Sequence, residues 1–121
     1  MANVVMVGLD EAAANRIGVA LGRGRHRIER IPATAHPEDL DQADVVFAGS
    51  DPTQYLPLLR GFRSSHPATP FVVVARVPET SAWIEAMEAG ATDYCSEMDG
   101  TRQLGWLMDS LLPLAKAVSA L

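Results

Sequence analysis

Short runs of apolar residues recur along this chain, and turn-forming residues separate one run from the next. Most of these runs are β-branched and lack alternating polar residues, which is typical of strands buried on both faces of a parallel sheet. The central run ends at Ala48, where glycine, serine, aspartate and proline follow at once. The predicted strands are Asn3–Val7, Arg27–Ile31, Asp44–Ala48, Phe71–Ala75 and Ala91–Cys95.

Helical spacing of apolar residues separates the strands. The first helix has Asp10 as its predicted N-cap. The third is expected to carry Pro57 in its first turn, where a missing N–H costs little. In the fourth, Trp83 and Met87 lie one turn apart, and we expect both in the core. The helices are predicted between Asp10 and Gly22, over Pro37–Gln42 as a single turn, around Leu58, Leu59 and Phe62 with Pro57 in the first turn, from Pro78 to Gly90, and over Leu104–Ala115.

This alternation of strands and helices predicts a single α/β domain over residues 1–121. The expected architecture is a flavodoxin-like, doubly wound sheet of five parallel strands in the order 2-1-3-4-5, with helices on both faces. In open sheets of this kind, ligands and reactive groups lie beyond the carboxyl ends of the strands. The residues just after each strand are therefore the candidates for a functional site.

Composition and charge narrow the range of functions. The net charge of −5 argues against nucleic-acid binding, and the basic residues between positions 23 and 30 are explained as charges on an edge strand. No stretch approaches the roughly 18 uninterrupted apolar residues of a membrane span. Cys95 is the single cysteine, expected to be buried in a strand, and a chain without an intrachain disulfide fits a reducing, cytoplasmic location.

Four segments, taken in order and spacing, resemble the receiver domain of bacterial two-component response regulators, the CheY-like family. The most specific signal is the Ala-Gly-Ala sequence before Asp93 and Tyr94, because it is typical of the turn into a receiver's fifth strand. The resemblance covers essentially the whole chain and implies a domain of phosphorelay signal transduction. The matching segments are Val4–Val7, Asp44–Ala48, Thr69–Val74 and Ala86–Tyr94.

A typical receiver accepts a phosphoryl group on an aspartate at the end of its third strand. An acidic pair after the first strand holds Mg²⁺, while a Ser or Thr after the fourth strand and a lysine after the fifth hold the phosphate oxygens. Phosphoryl transfer needs such groups because it depends on positioning and on neutralising the charge of the transferred group. In this chain Gly8 and Leu9 stand at the acidic pair, Gly49 at the phosphoacceptor, Ala75 at the hydroxyl and Glu97 at the lysine.

Among the family's functional positions only Tyr94, the aromatic residue that acts as a switch, is kept. The resemblance therefore implies a degenerate receiver, or pseudo-receiver, that lacks the phosphoacceptor. No His-plus-carboxylate grouping suggests hydrolysis and no Cys/His spacing suggests zinc, so we expect neither an enzyme nor a cofactor. The expected function is a phosphorylation-independent protein–protein interaction module.

Two alternatives remain open from the residues. In one, the nearby carboxylates Asp10, Glu11 and Asp51 form a displaced acidic site that holds Mg²⁺ and accepts phosphate. Against it, the lysine's charge is absent, and Asp10 and Asp51 also fit roles as cap and turn residues. In the other, Gly8, Gly49 and Ser50 leave room for a small ligand, although no glycine-rich phosphate motif is present.

In receivers, the face made by the fourth helix, the fifth strand and the last helix commonly dimerises or docks partners. The resemblance therefore points to this face for a homodimer contact, or for a protein partner such as a histidine kinase or a downstream output protein. Tyr94, Met98 and Trp106 are the candidate residues for an apolar contact patch there.

Overall fold

The computed structural model of the protein describes residues 2–22, 24, 26–49 and 51–97. Within these residues one parallel sheet has the strand order β2-β1-β3-β4-β5, so the predicted flavodoxin-like fold is confirmed. The strands are β1 (Asn3–Val7), β2 (Arg27–Ile31), β3 (Val45–Ala48), β4 (Phe71–Ala75) and β5 (Asp93–Ser96). The helices are α1 (Glu11–Ala20), α2 (Pro52–Ser65) and α3 (Thr80–Glu88), with a 3₁₀ turn over Pro37–Leu40.

The three central strands carry the core. Successive side chains of a strand point to opposite faces of the sheet, so Val4 and Met6 pack on the α1 side while Val5 and Val7 pack on the α2 and α3 side. Both faces are covered, and every residue of β3 and β4 is therefore buried. This explains why these strands read as unbroken apolar runs in the sequence.

The start of α2 differs from the prediction. The helix begins at Pro52, which occupies the first turn behind the N-cap Asp51, and Pro57 lies inside it. Pro57 lies on the exposed side of the helix, and so does Thr53, whose carbonyl loses its i+4 donor. The prediction that placed Pro57 in the first turn was wrong, since Pro52 is the proline that takes that position.

The orientation of α3 also corrects the prediction. Trp83 and Met87 are 48% and 40% exposed, so they are not core residues. The helix instead packs through Ala86, which is buried, and Ala82, which is half-buried. Two pairs of residues in this helix have the same four-residue spacing. The alanine pair faces the sheet because small side chains let a short helix lie close to it.

The fifth strand agrees with the prediction except for its ends. Cys95 is buried as expected, although β5 begins two residues later than predicted. No described helix is both long and apolar enough to cross a lipid bilayer. The last predicted helix, over Leu104–Ala115, lies outside the described residues.

Gly8, directly after β1, allows a test of how tightly this loop is built. Its φ is +64°, and a Cβ there would lie 2.8 Å from the Cβ of Ala33. Gly24 has a similar φ of +82° but no neighbouring atom within 4 Å of such a Cβ. We expect Gly24→Ala to lower the free energy of unfolding by about 1–2 kcal/mol through backbone strain alone. Gly8→Ala should cost roughly 1–3 kcal/mol more through overpacking.

Urea unfolding of the two variants measures this difference directly. Equal losses of stability would mean that Ala33 moves aside freely and that the loop after β1 is loosely packed.

Candidate functional site

The candidate site is the edge of the sheet at which β1, β3, β4 and β5 end. Parallel strands bring their carboxyl ends to one edge, which is where α/β folds place reactive groups. The positions that the resemblance marks all lie along this edge, as the sequence predicts. They are Gly8 and Leu9 after β1, Gly49 after β3, Ala75 at the end of β4 and Glu97 after β5.

Leu9 fills the space beside Gly49. Gly49 is buried, and its N–H donates to the carbonyl of Val7 at 3.1 Å. A Cβ at Gly49 would lie 2.6 Å from Cδ2 of Leu9 and 3.1 Å from the carbonyl oxygen of Val74. Leu9 is half-buried and packs against the core cluster on the α1 side. An apolar side chain therefore occupies the place into which a side chain at position 49 would project.

The other two marked positions offer no cation and no hydroxyl. Ala75 is buried, and its carbonyl accepts a hydrogen bond from the N–H of Glu97 at 2.8 Å. The Glu97 side chain is only 12% exposed and pairs with Arg16 of α1 at 3.4 Å. A carboxylate thus stands where the family has a lysine, and its partner is a cation on the first helix.

Both carboxylate oxygens of Asp10 accept hydrogen bonds. Oδ1 accepts from the N–H of Ala13 at 2.7 Å, which confirms the predicted N-cap of α1, and Oδ2 accepts from Arg76 at 2.7 Å. The Ala13 hydrogen bond first, and then Arg76, lower the pKa of Asp10. Arg76 follows β4, so this ion pair joins the loop after β1 to the loop after β4.

Asp51 also has a structural role. Its Oδ1 caps α2 by accepting from the N–H of Thr53 at 2.9 Å and from the Thr53 hydroxyl at 2.7 Å. The hydrogen bond from the Thr53 hydroxyl lowers the pKa of Asp51 most, and the hydrogen bond from the Thr53 amide lowers it further. Glu11 is exposed in the first turn of α1. Across the described part of the chain, no three His, Cys, Asp or Glu side chains are grouped closely enough to hold a metal ion.

Tyr94 lies half-buried beside two openings on the α3 side of this edge. Its hydroxyl accepts a hydrogen bond from the N–H of Glu79 at 3.3 Å. One cavity, of about 300 Å³, lies between Tyr94 and the buried Tyr55, among residues of the β4–α3 loop. Burial is the main cause that raises the pKa of Tyr55 to about 12.

Sequence reasoning missed two features of the site. Arg76 is the only basic residue between Phe71 and Glu97, and its place directly after β4 was the available signal. The second feature is the exposed face of α3. Its signal in the sequence was that two pairs of residues, Ala82 with Ala86 and Trp83 with Met87, have the same four-residue spacing, so that only one pair can face the sheet. Ser50, Met98 and Trp106, which the sequence also singled out, lie outside the described residues.

Similarity in sequence does not assign this chain to a family. No protein-family model matches it, and no curated protein matches it either. Burial raises the pKa of the single cysteine, Cys95, to about 11, so its thiol is protonated at neutral pH.

Solved structures do share the fold. A pilus assembly-related protein from Burkholderia pseudomallei is 20% identical with a TM-score of 0.72, over 93% of this chain and 90% of that one. A CheY-like receiver domain protein from Methanospirillum hungatei is 14% identical with a TM-score of 0.75, over 97% and 98% of the two chains. An atypical orphan response regulator with a phosphorylation-independent regulatory mechanism is 16% identical with a TM-score of 0.75, over 92% and 95%. At these identities the likeness establishes the fold that receivers have.

The contact between Leu9 and Gly49 predicts a measurable coupling. Gly49→Ala should lower the free energy of unfolding by about 1–3 kcal/mol, because its Cβ displaces Leu9 and presses on a backbone carbonyl. In a Leu9→Ala background the same substitution should cost about 1 kcal/mol less. Leu21→Ala, at the far end of α1, is the matched control background and should leave the cost unchanged. Additive losses in the Leu9 background would contradict the packing described here.

The ion pair of Asp10 predicts a change in pKa. In Arg76→Gln the pKa of Asp10 should rise part of the way towards its ordinary value of 3.8, since the Ala13 hydrogen bond remains. The carboxylate stabilises the fold above pH 3.8, and this contribution is lost as the pH falls through the lowered folded-state pKa. The variant should therefore be less stable than wild type at neutral pH, with the difference disappearing in acid.

A pH titration of the aspartate carboxyl carbons by NMR measures the shift. Asp51 is the internal control, because its pKa is lowered by Thr53 and not by Arg76. An Asp10 that titrates identically in both proteins would show that the Arg76 contact does not persist in solution.

Proposed function

We propose that this chain is a receiver-like module of bacterial signal transduction that acts by binding other proteins and does not accept a phosphoryl group. The observation that carries the proposal is the side chain of Leu9, which fills the space beside Gly49 where a phosphoacceptor would project. The receiver fold supplies the signalling context, and the filled edge removes the reaction that typical receivers perform.

The charges along the edge support the same proposal. Phosphoryl transfer requires cations that neutralise the transferred group. Glu97 places a negative charge at the end of β5, and the guanidinium of Arg76 is held by Asp10. Asp10 and Asp51, two of the three carboxylates of the alternative displaced acidic site, each cap a helix. These contacts favour structural roles for the acids over a relocated Mg²⁺ and phosphate site, and we propose no enzyme activity.

The exposed side of α3 is the surface we assign to binding. Val77, Trp83, Ile84 and Met87 are all more than a third exposed, whereas apolar side chains of this size are otherwise mostly buried in the described part of the chain. Contiguous exposed apolar residues of this kind mark interaction surfaces. Tyr94 of β5 borders the same surface, next to Trp83. In receivers the fourth helix and fifth strand belong to the face that docks partners, which supports a histidine kinase or an output protein as the class of partner.

Two solved structures of the same fold support a domain that acts together with other proteins or domains. The atypical orphan response regulator of the same fold is regulated without phosphorylation. NtrX from Brucella abortus, with a TM-score of 0.76 at 17% identity, contains this fold in only 29% of its chain. We therefore place the output of this domain in a separate protein or in another part of a longer polypeptide, working in the reducing cytoplasm that a single buried thiol suits.

Incubation with Mg²⁺ and acetyl phosphate, followed by intact-protein mass spectrometry, tests the proposal. The expected result is no gain of a phosphoryl group, with a receiver that has its acidic site intact as the positive control. Asp51→Asn and Asp10→Asn are run alongside the wild type. A phosphoryl adduct on wild type that disappears in Asp51→Asn would establish the displaced acidic site and overturn the proposal.

A further inference from the structure

The exposed apolar residues of α3 form a single stripe. At the 100° per residue of an α-helix, Trp83, Met87 and Ile84 fall within about 100° of the helix surface. They are 48%, 40% and 45% exposed, and Val77 at the helix entrance is 71% exposed. We call these four residues the α3 stripe. Ala86, which is buried against the core, lies about 60° beyond Trp83 on the helix surface and so outside this arc.

Unpaired carboxylates border the α3 stripe. Glu88 and Glu85 follow Ile84 around the helix, and Glu79 stands at its N-terminal end; all three are exposed. None of the three forms an ion pair with any described residue. The segment from Val77 to Glu97 contains five acidic residues and no Lys, Arg or His. The border of the α3 stripe is therefore negative along the helix, while Arg76, which precedes Val77 at the other end, is already paired with Asp10.

This charge pattern argues against a second copy of the chain as the occupant. A two-fold symmetric dimer places the same patch against itself. Stripe against stripe would bring two sets of the same three glutamates together, and like charges across an interface are strongly disfavoured. The complement of an apolar stripe with a negative border is an apolar ridge with a positive border.

The groove beside the stripe can take an anchoring side chain. A shallow, open depression of about 280 Å³ lies between α3 and β5 and is lined by Pro78, Glu79, Thr80, Trp83 and Tyr94. Two aromatic rings and a proline make most of this wall apolar, which suits the large apolar anchor typical of interface centres. Helices that dock in this way present such anchors at i, i+3, i+4 and i+7.

We propose that the α3 stripe binds an amphipathic helix of a partner protein whose apolar face is bordered by lysine or arginine. The partner's apolar anchor enters the groove between Trp83 and Tyr94, and its basic residues pair with Glu79, Glu85 and Glu88. The inference rests on the proposed function, since it names the partner chemistry of the same interaction module.

Two designed helical peptides test the inference. Both carry leucines at i, i+3, i+4 and i+7, and they differ only in having lysine or glutamate beside them. Binding to the full chain is followed through the fluorescence of Trp83 in a Trp106→Phe background, with acrylamide quenching of the free protein as a check on exposure. The lysine peptide should bind at least tenfold more tightly than the glutamate peptide, and its affinity should fall as salt is raised from 50 to 500 mM.

Variants locate the contact. Met87→Ala should weaken the lysine peptide about tenfold, and the Glu85→Gln, Glu88→Gln double variant should weaken it and flatten its salt dependence. Val19→Ala and Glu11→Gln, on the exposed side of α1, are the matched controls and should change neither property. Circular dichroism of each variant confirms that the fold is kept.

Three outcomes would overturn the inference. The first is that the two peptides bind equally tightly, or that neither binds. The second is that Trp83 is shielded from acrylamide in the free monomer. The third is that the chain forms a concentration-dependent dimer that Met87→Ala abolishes. Each of them leaves the phosphorylation experiment untouched. Conversely, a phosphoryl adduct on Asp51 would refute the proposed function without deciding which helix the α3 stripe binds.

Discussion

Burial of β1, β3 and β4 between two helical layers is the constraint on which the rest of the structure depends. Because Val4–Val7, Val45–Ala48 and Phe71–Ala75 are covered on both faces, their positions admit little movement. The strand ends therefore meet at a fixed edge, and whatever follows each strand is brought together there. In this chain Gly8 and Leu9 follow β1, Gly49 follows β3 and Ala75 ends β4, so the scaffold presents a packed apolar edge where the same fold can present a reactive one.

The loops around that edge are held by contacts that suit a fixed shape. Leu9 packs towards Gly49, and Asp10 joins the loop after β1 to Arg76 in the loop after β4. Exposed ion pairs contribute little to stability, so the Arg76 contact matters chiefly for where the β4–α3 loop sits. That loop leads directly into α3, whose exposed stripe is the surface that we propose for binding. The edge and the binding surface are in this way parts of one connected arrangement.

Sequence reasoning reached the fold because the buried strands leave an unmistakable pattern of apolar runs, and it reached the strand ends because turn residues follow them. It placed α2 wrongly, since both Pro52 and Pro57 fit a first turn. It placed Trp83 and Met87 in the core, because helical spacing shows that two residues share a face without showing which face is buried. The Asp10–Arg76 contact joins residues 66 positions apart, and the filling of the space at Gly49 by Leu9 depends on loop geometry; neither leaves a local signal.

The central claim is that the edge of the sheet is filled and cannot take up a phosphoryl group. The most direct measurement is an amide NMR titration of the full chain with Mg²⁺ and beryllofluoride, which mimics a bound phosphoryl group. The account predicts that the amide signals of Gly8, Gly49, Ala75 and Glu97 stay in place throughout the titration. Saturable shifts confined to these residues would show that the edge opens to an acidic site, and would contradict the account.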